Sequence, residues 1–183
     1  MTNKLLLPLL GAMTLFALPV LAQETPASTP QAVAPYKTAI GFRTSFGGSS
    51  GTHSDLRLKH FIKPETALEL QVGQLSYRDT YQASLHYIWQ PQLLSTSRLR
   101  PYAGIGIGAV GTTRNRLYEK QDLEMGAVVL GSVGIEYTFR KLPLSVSLDY
   151  RHTLLGLSTG TFQYRGYSSM NSVGLGLKYT FGK

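Results

Sequence analysis

The chain lacks cysteine altogether in its 183 residues. This absence excludes a disulfide framework, a thiolate metal site and a lipoprotein anchor, because each of these needs a cysteine. The four histidines, at positions 53, 60, 86 and 152, are scattered and do not show the spacing of a metal-ligand set. No metal and no cofactor is therefore predicted.

Long hydrophobic runs are also missing, except at the start of the chain. After residue 22, no segment is long and apolar enough to cross a membrane as a helix. Residues 1–22 combine an early positive charge, an apolar core and a small residue, Ala22, at their end. This pattern predicts a cleaved secretory signal peptide, and Pro8 and Pro19 argue against a membrane-anchoring helix.

Acidic residues are few, since 10 Asp and Glu stand against 18 Lys and Arg, a formal net charge of +8. A basic excess can attract nucleic acid, but an exported protein seldom meets it. We therefore predict no nucleic-acid partner. Anionic lipopolysaccharide headgroups are the expected counter-charge instead.

The chain does contain a series of alternating segments. Residues 23–36 are rich in Pro, Ala and Thr and are predicted to be a flexible linker. From residue 37 onward, apolar and polar residues alternate with period two, which is the pattern of β-strands with one apolar and one polar face. Eight strands are predicted, at about 37–47, 54–62, 66–77, 80–90, 100–111, 124–139, 142–155 and 169–181.

An even number of strands favours a closed barrel, which removes exposed strand edges. The connections at 63–65 and 140–141 are short, whereas the segments 112–123 and 156–168 are longer and polar. Such alternation, together with strands of about ten residues, is typical of barrels that cross a membrane. The predicted fold class is all-β, an eight-stranded antiparallel up-and-down transmembrane β-barrel over residues 37–181.

Ionisable residues fall on the polar face of the predicted strands. An eight-stranded barrel has an interior just wide enough for side chains to fill, and charges buried there must be paired. We therefore predict an internal ionic network that plugs the lumen, with a selective conducting pore as the alternative. Its predicted members are Arg43, Asp55, Arg57, Lys59, Glu69, Arg100, Glu136, Asp149, Arg151 and Lys178.

Aromatic residues cluster near the predicted strand ends. Transmembrane barrels carry aromatic girdles where the bilayer meets water. The residues predicted to form these interfaces are Phe46, Tyr81, Trp89, Phe139 and Tyr150.

Two patterns suggest cofactor binding or catalysis but do not fit the strands. The run from Gly106 to Gly111 matches G-x-G-x-x-G, yet that fingerprint needs a strand followed by a helix. Here the glycines continue a strand, and we expect them to relieve crowding inside the barrel. His152 lies near Asp149 and Ser158, as in a hydrolase triad, but the strand pattern points Asp149 inward and His152 outward. No catalytic residue is predicted.

The signal peptide, the eight strands, the run Pro101–Gly108 and the terminal Tyr179-Thr-Phe181 together resemble the small outer-membrane β-barrel family. This family includes outer-membrane protein X and the barrel domains of OmpA-like and OmpW-like proteins. The resemblance covers nearly all of residues 37–181 and implies a location in the cell outer membrane. It also implies that Tyr179 and Phe181 form the assembly signal for the barrel-assembly machinery.

These observations predict a monomeric, non-enzymatic barrel with a structural or surface-interaction role, in contact with outer-membrane lipids and lipopolysaccharide. The alternatives are a small-solute channel, a lipid A-modifying enzyme and a soluble periplasmic binder like a lipocalin. Some small outer-membrane barrels are lipid A deacylases with a His-x-Ser pair, but Leu154 stands two residues after His152. Basic residues in the two longer connections are predicted to meet lipid phosphates or a surface ligand: Arg114, Arg116, Lys120 and Arg165.

Overall fold

The computed structural model describes residues 32–47, 52–74, 80–93, 98–112, 124–158 and 171–182. Within these ranges the chain forms eight strands: β1 Thr38–Phe46, β2 His53–Lys63, β3 Thr66–Gln74, β4 Thr80–Trp89, β5 Leu99–Thr112, β6 Glu124–Thr138, β7 Leu144–Ser158 and β8 Ser172–Phe181. The described part of the chain contains no helix of the length and apolarity needed to cross a membrane.

Each strand pairs antiparallel with the next, and β8 pairs back with β1, so that the sheet closes into a barrel. The closing register places Thr38 opposite Phe181 and Phe46 opposite Val173. Closure gives the backbone N–H and C=O groups of β1 and β8 hydrogen-bond partners, so neither strand is an open edge. The predicted fold class, an eight-stranded antiparallel up-and-down barrel, is confirmed.

The pairing is irregular in two places. The ladder between β6 and β7 shifts between Val129 and Leu130, so that Leu154 is an extra residue on β7. The ladder between β2 and β3 shifts between Phe61 and Lys63. An extra residue of this kind is a β-bulge, which bends its strand and interrupts the alternation of faces. Beyond this bulge, residues 154–157 are all exposed.

The outward face of the barrel is apolar. A soluble protein rarely exposes a continuous apolar surface of this extent, because every such side chain would contact water. An apolar band around the outside is the arrangement of a barrel that stands in lipid. The exposed side chains of this band include Ile40, Phe42, Leu56, Leu58, Leu68, Leu70, Val72, Leu85, Ile105, Ile107, Val133, Ile135, Leu148, Leu175 and Leu177.

The interior is filled in three layers. At the end where Tyr36 and Phe181 lie, which we call the terminal end, an apolar cluster contains Tyr36, Phe61, Ile88 and Tyr102. The middle layer is charged. Toward the opposite end the buried side chains are both polar and apolar: Ser45, His53, Gln82 and Ser172 lie there with Val110, Val128 and Leu130.

Candidate functional site

The candidate site is the charged middle layer of the barrel interior. Each of the ten ionisable residues predicted to face the interior is buried, and the most exposed of them, Arg100, is only 8% exposed. The alternation of inward and outward side chains along each strand brings them together, because every second residue of a strand points to the same face. Their contacts run along the barrel axis from the terminal end toward the opposite end.

Nearest the terminal end, Glu136 on β6 collects three donors. Lys59 Nζ lies 3.3 Å from Glu136 Oε2, and Lys178 forms a second ion pair with the same oxygen. The Tyr36 hydroxyl donates a hydrogen bond of 2.7 Å to Glu136 Oε1. Lys59 Nζ also donates a hydrogen bond of 2.6 Å to Gln90 Oε1, so this ammonium group has two polar partners.

In the middle of the barrel the ion pairs continue without a break. Lys178 Nζ lies 3.4 Å from Glu69 Oε2, and Glu69 Oε1 lies 2.6 Å from Arg57 Nη2. Arg57 Nη1 then reaches Asp149 Oδ2 at 2.9 Å. The Tyr102 hydroxyl donates to the same Asp149 oxygen at 3.0 Å.

Toward the opposite end, two arginines share Asp55. Arg43 Nε lies 2.6 Å from Asp149 Oδ1, and Arg43 Nη1 lies 3.8 Å from Asp55 Oδ2. Arg151 Nη1 lies 3.5 Å from the same Asp55 oxygen, and Arg151 also donates a hydrogen bond to Gln71.

The result is one continuous chain of alternating charges, which we call the ion-pair chain. Each of its four carboxylates contacts two cations. Removing a charge from water is costly, and a buried charge is stable only where its partners and hydrogen bonds offset that cost. Loss of one member would leave each of its partners with one opposite charge fewer in a buried site. The members are Lys59, Glu136, Lys178, Glu69, Arg57, Asp149, Arg43, Asp55 and Arg151.

Arg100 is the predicted member that lies apart from this chain. Among the described residues it has no carboxylate within salt-bridge distance. Instead, Arg100 Nη2 donates to the backbone carbonyl of Val33 at 2.8 Å and to Gln92 Oε1 at 3.0 Å. Arg100 therefore points inward and contacts the N-terminal segment. The alternation of polar and apolar residues shows which face a residue lies on, but it could not indicate this partner.

Tyr36 is the main interior residue that the sequence did not identify. It falls in the predicted linker of residues 23–36, yet its side chain is fully buried at the terminal end. Burial, followed by the adjacent Glu136 carboxylate, raises the pKa of the Tyr36 hydroxyl well above its usual value. The hydroxyl is therefore a hydrogen-bond donor at neutral pH. The linker has no periodicity, so only the single aromatic residue before β1 was available as a signal.

Inward-facing glycines provide the space for the large side chains. A Cβ atom built on Gly106 would lie 2.5 Å from His86 Nδ1, and one on Gly174 would overlap the guanidinium of Arg43. Gly106 and Gly108 lie within β5, opposite His86 and Ser84 of β4. The glycine run of residues 106–111 is thus part of the barrel wall and does not form a strand-to-helix phosphate loop.

The aromatic residues predicted for the membrane interfaces lie mostly on the outward face. Phe46, Tyr81, Trp89 and Tyr150 are exposed. Phe139 is half-buried, because its ring packs edge-on against Tyr137 with centroids 5.0 Å apart. The residues of the predicted assembly signal, Tyr179 and Phe181, are also exposed, and their ring centroids lie 4.8 Å apart. Their contact with lipid headgroups and with the assembly machinery stays a prediction.

The triad-like residues do not converge. His152 is exposed on the outside of the barrel and its Nδ1 lies 3.3 Å from the Tyr150 hydroxyl, whereas Asp149 is buried and paired with arginines. Within the described ranges, no group of three or more His, Asp or Glu side chains could hold a metal ion.

Several predicted features lie outside the described residues. They are the signal peptide of residues 1–22, most of the linker, residues 169 and 170 of the last predicted strand, and the basic residues Arg114, Arg116, Lys120 and Arg165.

Comparison with solved structures shows a similar fold in the N-terminal β-barrel domain of Pseudomonas aeruginosa OprF. The two share a TM-score of 0.59 at 14% sequence identity, over 80% of this chain and 98% of that domain. No family model matches the sequence, and no curated protein matches it either. The resemblance to small outer-membrane β-barrels is thereby confirmed at the level of the fold.

Proposed function

We propose that this chain is an integral outer-membrane barrel whose interior is closed by the ion-pair chain and whose role is structural or surface-interacting. The observation that carries this proposal is the unbroken sequence of ion pairs from Lys59 and Glu136 to Asp55 and Arg151. These side chains meet across the lumen, so the axis of the barrel is occupied by paired charges. Water and solutes would have to separate buried ion pairs in order to pass.

Two observations support the outer membrane as the location. The outward face is an apolar band of large side chains, which only lipid can cover around the whole circumference. The fold is also that of the OprF domain, an outer-membrane barrel. In this location the partners are outer-membrane lipids and lipopolysaccharide, and the chain acts as a monomer. Its export begins with the cleaved signal peptide.

Insertion by the barrel-assembly machinery would use the end of β8. Tyr179 and Phe181 stand side by side on the outward face of this strand, where another protein can reach them before the barrel meets lipid. This assignment follows from the resemblance to the small outer-membrane barrels.

The alternatives differ in what the interior and exterior must contain. A lipocalin-like binder needs an apolar interior cavity, whereas the charged residues of β2, β3 and β7 point inward here. A lipid A-modifying enzyme needs a nucleophile and an acid near His152 on the lipid face; within the described residues the side chain hydrogen-bonded to it is that of Tyr150. A small-solute channel would have the same fold and the same outward face as the closed barrel. The two differ only in whether the ion pairs in the lumen separate and let solutes pass.

Conductance in planar lipid bilayers separates the closed barrel from the channel. The purified protein, folded by the criterion of heat-modifiable gel mobility, should give no stable open level. A double variant, Arg57→Ala with Tyr102→Ala, removes two large side chains from the lumen and serves as the positive control for an opened barrel. A reproducible open level of the unmodified protein would favour the small-solute channel instead.

A further inference from the structure

The N-terminal residues 33–37 cross the terminal end of the barrel, and we name them the N-terminal strap. Lys37 is held between the strands on both of its sides: its N–H donates to the Phe181 carbonyl at 3.0 Å and its carbonyl accepts from the Phe61 N–H at 2.9 Å. These bonds fix one end of the strap to β8 and β2.

The other end of the strap is fixed on the far side of the barrel. The Val33 carbonyl accepts from Arg100 Nη2 at 2.8 Å, and the Val33 N–H donates to Gln92 Oε1 at 3.4 Å. Arg100 belongs to β5 and Gln92 follows β4. In a closed barrel of eight strands, β5 is four strands away from β1 in either direction. The strap therefore lies across the diameter of the opening.

Between these two anchors, Tyr36 fills the opening. Its ring packs edge-on against Phe61 with centroids 5.1 Å apart, within the apolar cluster that includes Ile88 and Tyr102. Its hydroxyl reaches inward to Glu136 at 2.7 Å. The apolar ring of Tyr36 lies among apolar side chains at the mouth of the barrel, and its hydroxyl group forms a hydrogen bond with the ion-pair chain. Each part of the side chain therefore lies in surroundings of its own polarity.

We infer that the N-terminal strap is the seal that closes the barrel interior at the terminal end. The Tyr36 side chain fills the opening, and Arg100, which we call the latch, holds the strap on β5. This inference rests on the proposed closed interior and adds the element that closes it. This role explains the contacts of Arg100. Arg100 is buried, yet it binds a backbone carbonyl and an amide oxygen, whereas the nine other ionisable residues form the ion-pair chain. Displacing the strap should admit water and small ions to Glu136, Lys59 and Lys178.

The absence of native cysteine makes a labelling test direct. Ser145→Cys places one thiol on a fully buried, inward-facing position of β7, opposite Lys178 of β8 in the strand register. The probe is a small, membrane-impermeant methanethiosulfonate, applied to the folded full-length chain in lipid vesicles open to the reagent on both sides. Labelling should be slow with the strap intact, and Tyr36→Ala should accelerate it on the order of tenfold or more, because protection then depends on a weakened local closure.

Matched variants make each outcome decisive. Tyr137→Ala, at an outward tyrosine of the same end, should leave the thiol at position 145 protected, and Lys141→Cys on the exposed turn gives the rate of a fully open thiol. If the thiol at position 145 is protected both with and without Tyr36, the strap is not the seal, although the interior is still closed. If it reacts as fast as the thiol at position 141 while the strap is intact, the strap is not the seal, and the conductance measurement decides separately whether the ion-pair chain closes the interior.

A second variant covers the case in which Tyr36→Ala fails to give the heat-modifiable form. Arg100→Met keeps the tyrosine but removes the latch on Val33, and it should also accelerate labelling of the thiol at position 145. Unchanged protection in this variant would contradict the role of Arg100 as the latch.

Discussion

At the scale of single residues, the interior of this barrel depends on pairs that cannot be changed one member at a time. Lys178 contacts Glu69 and Glu136, and each of these carboxylates has only one other cation partner in the ion-pair chain. Replacing a whole buried ion pair by apolar groups is often tolerated, but removing one partner leaves an uncompensated charge. The sensitivity of a position therefore follows from its partners more than from its own charge.

Lys178→Met should destabilise the barrel by about 1–3 kcal/mol, because Glu69 and Glu136 each lose one of their two cation partners in a buried site. The matched control is Lys141→Met on the exposed turn after β6, where a change within about 0.5 kcal/mol is expected. Unfolding by guanidinium in lipid vesicles, followed by Trp89 fluorescence, measures both. Equal unfolding midpoints for the two variants would contradict the ion-pair chain.

Gly174→Ala should destabilise the barrel by about 1–3 kcal/mol, since the added methyl group would overlap Arg43 and displace it from its carboxylates. Gly131→Ala is the control, because its Cβ would point outward and meet Leu154 at an ordinary distance of 3.4 Å. The same unfolding assay should find Gly131→Ala close to the unmodified protein. Similar losses for both variants would mean that the inward glycines are not needed for space.

At the scale of strands, the alternation of faces determines which side chain meets lipid. Ile107 lies in the middle of β5 and is 67% exposed, whereas Ile62 is next to the end of β2 and 49% exposed. For a protein in water, neither position would matter much to stability. In a bilayer their depth distinguishes them.

Ile107→Lys should cost about 2–4 kcal/mol of stability in lipid, whereas Ile62→Lys near the strand end should cost about 0–1 kcal/mol. The reason is that a lysine at the middle of the bilayer must leave water, but one near the end can reach the headgroups. Refolding into lipid vesicles and measuring the unfolding midpoints compares the two. Equal, small effects would contradict a lipid-facing exterior.

Phe181→Ser should reduce the amount of folded barrel in the outer membrane several-fold if the end of β8 is the assembly signal. Phe46→Ser is the matched control, because Phe46 is an outward phenylalanine of nearly equal exposure, 47% against 48%. Immunoblots of unboiled membrane extracts measure the folded form of each. Equal amounts of the two variants would argue against the assembly signal.

The strands could be predicted from the sequence because their period is regular. In β8, Val173, Leu175 and Leu177 alternate with glycines and Lys178, and the observed strand has the predicted faces. All observed strand ends lie within about three residues of the predicted ones. The bulge at Leu154 could not be predicted, because the adjacent apolar residues Leu154 and Leu155 break the period-two pattern in the same way as the end of a strand, and the sequence therefore predicts a strand end at 155.

The interior was only partly predictable for a related reason. Period two shows that Arg57 or Asp149 points inward, but the partner of a charge depends on the stagger of strands that are far apart in sequence. Arg100 has the same pattern as the other cations and yet contacts Val33. Tyr36 precedes β1 in a segment without periodicity, so its burial follows from tertiary packing alone.

At the scale of the whole molecule, the barrel is inverted relative to a soluble protein. Apolar side chains cover the outside, and paired charges fill the inside, with an apolar cluster at the terminal end. In lipid, two effects stabilise the closed sheet. The apolar outer band is buried among lipid chains, and the backbone N–H and C=O groups of each strand form hydrogen bonds with the neighbouring strands. The strap and the ion-pair chain then determine what can enter it.

The most direct test of this account is the electrophoretic mobility of the protein in outer-membrane extracts, compared with and without boiling. A closed barrel embedded in the outer membrane should give a faster band when unboiled and should be found in that membrane fraction. A single mobility, with the protein in the soluble periplasmic fraction, would contradict the inside and outside assigned here to every strand.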